Sequence, residues 1–244
     1  MTTTIVSGFL TNVNQKHDCN MEKFVDLGLL LLKAKTPKII FVDEGMFEHI
    51  KTYDNEFTKI ILIDKKDYEL YQYMNNDVLT NFSLNTDNPA KDTIEFMFTM
   101  CNKTEWIRQA IELNHFNTEQ FVWVDFGIRH VFRCDDDSYM NILESLYNKN
   151  YDNIRIGTIW DLETQYNFNI WKDISWYFAG GVFGGNKDNL LHFANLTKEK
   201  CLQVIHQEKT IMWEVNIWYF VYLENKHLFN TYHCGHDDTI ITNY

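Results

Sequence analysis

Phe121-Val-Trp-Val-Asp125-Phe-Gly127 is the stretch on which the fold turns. Four consecutive apolar residues, β-branched or aromatic, read as a short buried strand, and a carboxylate follows at once. In open α/β sheets ligands bind beyond the carboxyl ends of the strands, which makes Asp125 a site candidate. A turn or helix cap is the other common use of an acid in that place.

Upstream, strand-like and helix-like segments alternate, the pattern of a mainly parallel sheet covered by helices. Residues 5–10 read as a strand and 22–33 as a helix stopped by Thr36-Pro37. Lys38–Val42 and 59–63 are further strands, ending at the acids Asp43 and Asp64. A long helix is expected from Asp92, because Ile94, Met97, Phe98, Cys101, Ile107, Ala110 and Ile111 recur at helical spacing, with Lys103 and Arg108 on its other face. Downstream, strands are expected at 154–159 and 177–183 and helices at 188–206 and 212–224, while 64–92 carries no clear pattern. The reading is an α/β chain forming one domain over 1–244, with halves at 1–130 and 131–244.

With 244 residues, 45% of them hydrophobic and 16% aromatic, the chain can bury a large core. Its net charge of -12 argues against nucleic acid or an anionic membrane as partner, since phosphate surfaces are bound by clustered Lys and Arg. The five cysteines are odd in number and lack a CxxC pair, which favours free thiols in a reducing compartment. The start of the chain has no leader pattern and its longest apolar run, 27–32, is too short to span a bilayer, so a soluble, cytoplasmic protein is expected.

Four further segments carry chemistry. Asp135-Asp136-Asp137 is a charge run that favours a solvated loop over a metal cluster. Trp176-Tyr-Phe-Ala-Gly180-Gly181-Val-Phe-Gly184-Gly185 places glycine pairs where backbone could approach a ligand, or where a turn or bulge needs them. Glu214 is a lone acid in a strongly apolar helix, either a partly desolvated functional carboxylate or a helix-surface residue. His233-Cys-Gly235-His236-Asp237-Asp238 gathers imidazoles and carboxylates in one loop, but lacks the second partner motif of a zinc site.

Taken in order, these pieces resemble the HtrL/YibB family of bacterial and viral proteins, for which glycosyl transfer is the expected activity. The matching stretches are Thr3-Thr-Ile-Val-Ser-Gly-Phe-Leu10, Lys38-Ile-Ile-Phe-Val-Asp43, Cys101-Asn-Lys103, Asn114-His-Phe-Asn-Thr118, Phe121 through Ile128 and the glycine-paired segment. A more distant likeness is to the blood-group-type α-1,3-galactosyl and N-acetylgalactosaminyl transferases, retaining, metal-dependent enzymes of the GT-A fold that use UDP-sugars. Phe121–Gly127 is similar to their DxD element, although Gly127 stands where the second acid would be.

The resemblance implies a GT-A, Rossmann-like fold that transfers a sugar from a nucleotide sugar, UDP-linked by analogy, to a saccharide acceptor in glycan biosynthesis. It implies that Ser7, Gly8 and Phe9 line the nucleotide pocket with Asp43, and that Lys103 meets the ribose or diphosphate. Asp125 would hold Mn²⁺ or Mg²⁺, Gly180 and Gly181 would face the donor sugar, and Glu214 would sit below the anomeric carbon. His233-Cys-Gly235 is similar to the H-x-G metal histidine of glycogenin-type transferases, which makes His233 the second metal ligand, ahead of His236. Trp176, Trp213 and Trp218 are candidate acceptor platforms, with core packing as their other use. Gly127 leaves strict metal dependence open, and the stereochemistry is open because the retaining outcome rests only on the distant likeness. Gly127 also motivates one rival, an inactive module that binds a nucleotide or glycan; a second, a nucleotide-sugar hydrolase or pyrophosphorylase, could use the same base pocket.

Overall fold

Seven strands form one sheet in a computed structural model that describes residues 2–14, 20–74 and 77–244. In chain order they are β1 (Thr3–Phe9), β2 (Lys38–Val42), β3 (Thr58–Leu62), β4 (Gln120–Val124), β5 (Ile154–Thr158), β6 (Val182–Asn186) and β7 (Phe229–His233). Their spatial order is β3-β2-β1-β4-β6-β5-β7. All run parallel except β6, which is antiparallel to both β4 and β5. The mainly parallel α/β sheet expected from sequence is therefore present, and it runs through both halves of the chain.

The strands are apolar on both faces because both faces are covered. Along β4, Phe121 and Trp123 point into one core while Val122 and Val124 point into the other, and β2 divides Ile39 and Phe41 from Ile40 and Val42 in the same way. Helices α1 (Met21–Lys33), α2 (Glu44–Ile50), α5 (Asp136–Ser145) and α8 (Thr239–Thr242) cover one face. Helices α3 (Ile94–Cys101), α4 (Lys103–Leu113), α6 (Lys187–Glu208) and α7 (Glu214–Glu224) cover the other. On that second side aromatic rings stack across the sheet, Phe41 on Trp106, Trp106 on Trp123 and Trp123 on Phe183, with centroids 5.6–6.4 Å apart.

Several expectations are corrected. The helix from Asp92 is two helices divided at Asn102, and Lys103 lies on the buried side of the second, 1% exposed, rather than on its outer face. The strand placed at 177–183 is β6, five residues further on, because residues 176–181 form an irregular strip pinned by the bond from Ala179 N to Gly157 O. Asp135-Asp136-Asp137 is the start of α5, where Asp135 caps the helix by accepting from Ser138 N and the other two acids sit in the positive first turn. Among the described residues of 64–92 the helical structure is confined to short 3-10 turns at Lys65–Asp67 and Glu69–Tyr73. Cys101, Cys134, Cys201 and Cys234 are free thiols, and Cys19 lies outside the described residues. Among the described residues no helix is long and apolar enough to cross a membrane.

Candidate active site

The strand order reverses direction between β1 and β4, since the chain winds outward through β2 and β3 and then returns to the other side of β1. Such a switch point leaves a crevice at the carboxyl ends of the two strands. Asp125 stands there. Its backbone N–H donates to Gly181 O at 2.9 Å, which carries the β4–β6 ladder one step past the strands and fixes the residue's position. Trp123, held in the ring stack, donates from Nε1 to Asp125 Oδ1 at 2.6 Å. The loop beyond is anchored by Phe126, whose ring fills the space over Gly28 of α1, where a Cβ would lie 2.2 Å from it.

Lys103 binds the site together. As the first residue of α4 it projects inward, and Nζ lies 2.9 Å from Asp125 Oδ1, 2.9 Å from Glu214 Oε1 and 3.1 Å from Gly180 O. Burial lowers the lysine's affinity for its proton, but the charges of Asp125 and Glu214 outweigh burial and hold it above the ordinary lysine value. It is a permanent cation at neutral pH. Glu214 is the first residue of α7 and 5% exposed, so it is not a helix-surface glutamate, and the positive end of the helix favours its charge. Two carboxylates share one ammonium, which leaves the trio with one net negative charge. Asp125 is the open member, its side chain 38% exposed and its Oδ2 without a hydrogen bond among the described residues.

Glycine at 180 is required by this arrangement. A Cβ there would meet Glu214 Oε1 at 2.7 Å and Val215 at 2.9 Å, so any side chain displaces the carboxylate. Gly181 is next to the open side of Asp125, its Cβ direction leading to Asp125 Oδ2 at 3.7 Å.

Other candidates fall elsewhere. Ser7 is fully buried and donates to Val124 O at 2.6 Å, so its hydroxyl clamps β1 to β4 and has no face toward a ligand. Gly8 backs onto the Trp106 ring, and Phe9 is buried against Phe24 and Phe126. Asp43 spends its carboxylate on the scaffold, where it caps α2 by accepting from Met46 N and holds Thr11 through both N–H and Oγ1. Beside it an open depression is lined by Thr11, Asn12, Asp43, Glu44, Gly45 and Glu48. Trp218 is core, and Trp213 is 7% exposed and packed against Phe96, so neither offers a platform. Trp176 stays half-buried, edge-on to His236.

The histidine loop is also rearranged relative to expectation. His233 ends β7, three strand places from β4, about 14 Å at the usual interstrand spacing. His236 instead reaches back, its ring 6.3 Å from that of His130, which belongs to the turn following Asp125. Desolvation, and then the facing His130, hold His236 below the ordinary histidine value, opposed by Asp237. Among the described residues no three His, Cys, Asp or Glu side chains gather as a metal-holding group. Sequence reasoning missed His130 and the Trp123 bond to Asp125. The i, i+2 spacing of Trp123 and Asp125 was the available signal for the second, whereas nothing local announces the first.

The sequence profile described as "Bacterial protein of unknown function (HtrL_YibB)" matches residues 2–240. No curated protein matches the chain. Among solved structures, the apo crystal structure of mouse xyloside xylosyltransferase 1 is similar over 95% of this chain and 85% of that one, at 12% identity and a TM-score of 0.47. Rv0371c from Mycobacterium tuberculosis H37Rv is similar over 96% of this chain and 88% of that one, at 7% identity and a TM-score of 0.44. Its complex with manganese gives 7% identity and a TM-score of 0.41 over the same shares of the two chains.

Proposed function

The chain belongs to the HtrL_YibB family, and for it we propose glycosyl transfer from a nucleotide sugar, UDP-linked by analogy, to a saccharide acceptor on a GT-A scaffold. One observation carries the reading, the Asp125–Lys103–Glu214 trio at the sheet's switch point. It sets one fixed, buried carboxylate beside one open carboxylate, the pair of functions that leaving-group departure and anomeric-carbon stabilisation require.

The residues fit a divalent cation. Mg²⁺ and Mn²⁺ suit hard oxygen ligands, and Mg²⁺ commonly takes one or two carboxylates, completing its shell with waters and substrate phosphates, so a three-residue cage is not needed. Asp125 offers Oδ2, and the trio's net negative charge would repel a diphosphate without a counter-cation. His236, rather than His233, is the imidazole on the Asp125 side of the loop. A bound cation would supply charge neutralisation for the departing nucleoside diphosphate.

The chain's own groups do the rest. Trp123 and Lys103 fix Asp125, and Lys103 holds Glu214 in place against Gly180. The donor sugar lies over Gly180 and Gly181, and the nucleoside end extends to the depression beside Asp43, where the Glu44 carboxylate accepts from ribose hydroxyls. In the transfer the anomeric C–O bond breaks with its electron pair leaving on the diphosphate. An acceptor hydroxyl oxygen bonds the same carbon and its proton passes to the leaving phosphate. Glu214 stabilises the positive charge that develops between these events.

Incubation with UDP-glucose or UDP-galactose and Mn²⁺ tests the reading. UDP release is expected, falling roughly a hundredfold or more in Asp125→Ala and Glu214→Gln. Thermal stabilisation by UDP without turnover would replace the transferase by a binding module. Sugar 1-phosphate, or free sugar with every acceptor, would replace it by a pyrophosphorylase or a hydrolase.

A further inference from the structure

Between β5 and β6 the chain runs from residue 159 to 181 without helix or strand. Connections of this length are uncommon in compact domains and, where ordered, are usually functional. This one is ordered by its own aromatic rings. Trp160 stacks on Tyr166, with centroids at 4.5 Å and planes at 27°, and meets Phe168 and Tyr177 edge-on at 5.2 and 5.5 Å. Tyr177 lies flat on Tyr219 of α7, with centroids at 3.9 Å and planes at 6°. The phenol of Tyr177 donates to Thr164 O at 2.9 Å, and that of Tyr166 accepts from Asp161 N at 3.2 Å.

Trp160, Tyr166, Phe168 and Tyr177 belong to neither core of the sheet; all but Tyr177 are only partly buried, as is Tyr219, which packs against the edge of one core. Together they form a cluster of partly solvent-accessible rings at the edge of the fold, rimmed by exposed Asp161 and Glu163. The cluster is also tied to the active site by two routes. Helix α7 begins at Glu214 and carries Tyr219 five residues on, about 7–8 Å along its axis. The strip 176–181 carries Tyr177 three residues before Gly180, at most about 10 Å of extended chain. Tyr219 is turned about 140° around the helix from Glu214, so the strip through Tyr177 to Gly180 is the route a short saccharide spans.

We propose that this cluster, centred on Trp160 and Tyr219, is the binding subsite for a neutral oligosaccharide, the acceptor of the transfer reaction. The assignment rests on the transferase reading for the word acceptor, while the saccharide site itself stands on the cluster. Aromatic faces take up the apolar C–H faces of pyranose rings, and phenol, carboxylate and main-chain groups on the rim serve the hydroxyls. Asp161 discriminates against uronates and sugar phosphates by like-charge repulsion, while the charge of Glu163 is offset by Lys226 at 3.4 Å.

Saturation-transfer NMR on the whole protein without donor is the test, using lactose, cellobiose and maltotriose against glucuronic acid and glucose 6-phosphate. Ring-proton saturation is expected from at least one neutral sugar and not from the anionic ones. Tyr219→Ala and Trp160→Ala should each weaken that binding about tenfold, with the melting temperature checked for both and Trp160→Leu as substitute should the alanine variant fail to fold. If no neutral sugar binds, if the anionic ones bind as well, or if binding survives both substitutions, the subsite is wrong. Sugar binding that is lost in the variants, in a protein that never turns over a nucleotide sugar, would keep the subsite and sink the transferase instead.

Discussion

The two sides of the switch point spend their polar side chains differently. On the β1–β2 side, Ser7, Thr11 and Asp43 bond to strand carbonyls, helix amides and one another, so their capacity goes into holding the scaffold. On the β4–β6 side, Asp125, Lys103 and Glu214 bond mainly among themselves, carry unbalanced charge and leave one carboxylate oxygen open. Asp43 and Asp125 both follow a strand's carboxyl end. An acid in that place is therefore no mark of a site by itself. What marks it is charge assembled from distant segments at the cost of desolvation, which a merely structural cap would not need.

Removing the shared cation should break this contrast most sharply. Lys103→Met leaves two carboxylates facing each other and is expected to cost about 3–5 kcal/mol, read from the urea midpoint at unchanged m. Because Lys103 is held above the ordinary lysine value of 10.5, its contribution is complete below that pH and is lost only as pH climbs through the raised folded value. The gap between wild type and variant should accordingly stay constant through neutral pH and close in strong alkali. A loss no larger than that of an exposed lysine would dissolve the trio as a unit.

Gly180→Ala comes next. Its methyl would press on Glu214 Oε1, and about 1–3 kcal/mol of stability should go together with most UDP release. Turnover equal to wild type would free Glu214 of its proposed task. Asp43→Ala sharpens the comparison from the other side, with about 1–2 kcal/mol expected from the lost cap and donor affinity, measured by titration with UDP, far less affected than in Asp125→Ala. The smallest effect belongs to Asp135→Ala at the start of α5. Hydrogen bonds from Ser138 hold Asp135 below its ordinary value of 3.8, so its stabilisation is present above that pH and disappears as acid is added through the lowered value. The variant's Tm should trail wild type slightly at neutral pH and rejoin it in acid.

How much of this was legible follows from the range of the interactions. Apolar runs such as Lys38–Val42 and Gln120–Val124 declare themselves, because a strand buried on both faces has to be apolar throughout. The break at Asn102 was invisible, since helical spacing continues across it and only the inward turn of Lys103 reveals it. The 177–183 run was read as strand from its hydrophobicity, yet Tyr177 and Phe178 are buried by side-chain packing while the ladder with β4 begins only at Val182. Asp125 and Glu214 were legible as isolated acids. Their common partner was not, because Lys103 meets Glu214 across 111 positions of sequence and no local pattern encodes that contact.

Strand β6 runs against its neighbours, so it starts rather than finishes at the edge where Asp125 stands. The polypeptide leading into it leaves β5 at that same edge, so both ends of the connection are secured by adjacent strands. Extra residues inserted there would add closure entropy that grows only with the logarithm of their number. Residues 159–175 are therefore free to lengthen or shorten, whereas Gly180 and Gly181, bonded to Lys103 and Asp125, hold the last steps into β6 at fixed length.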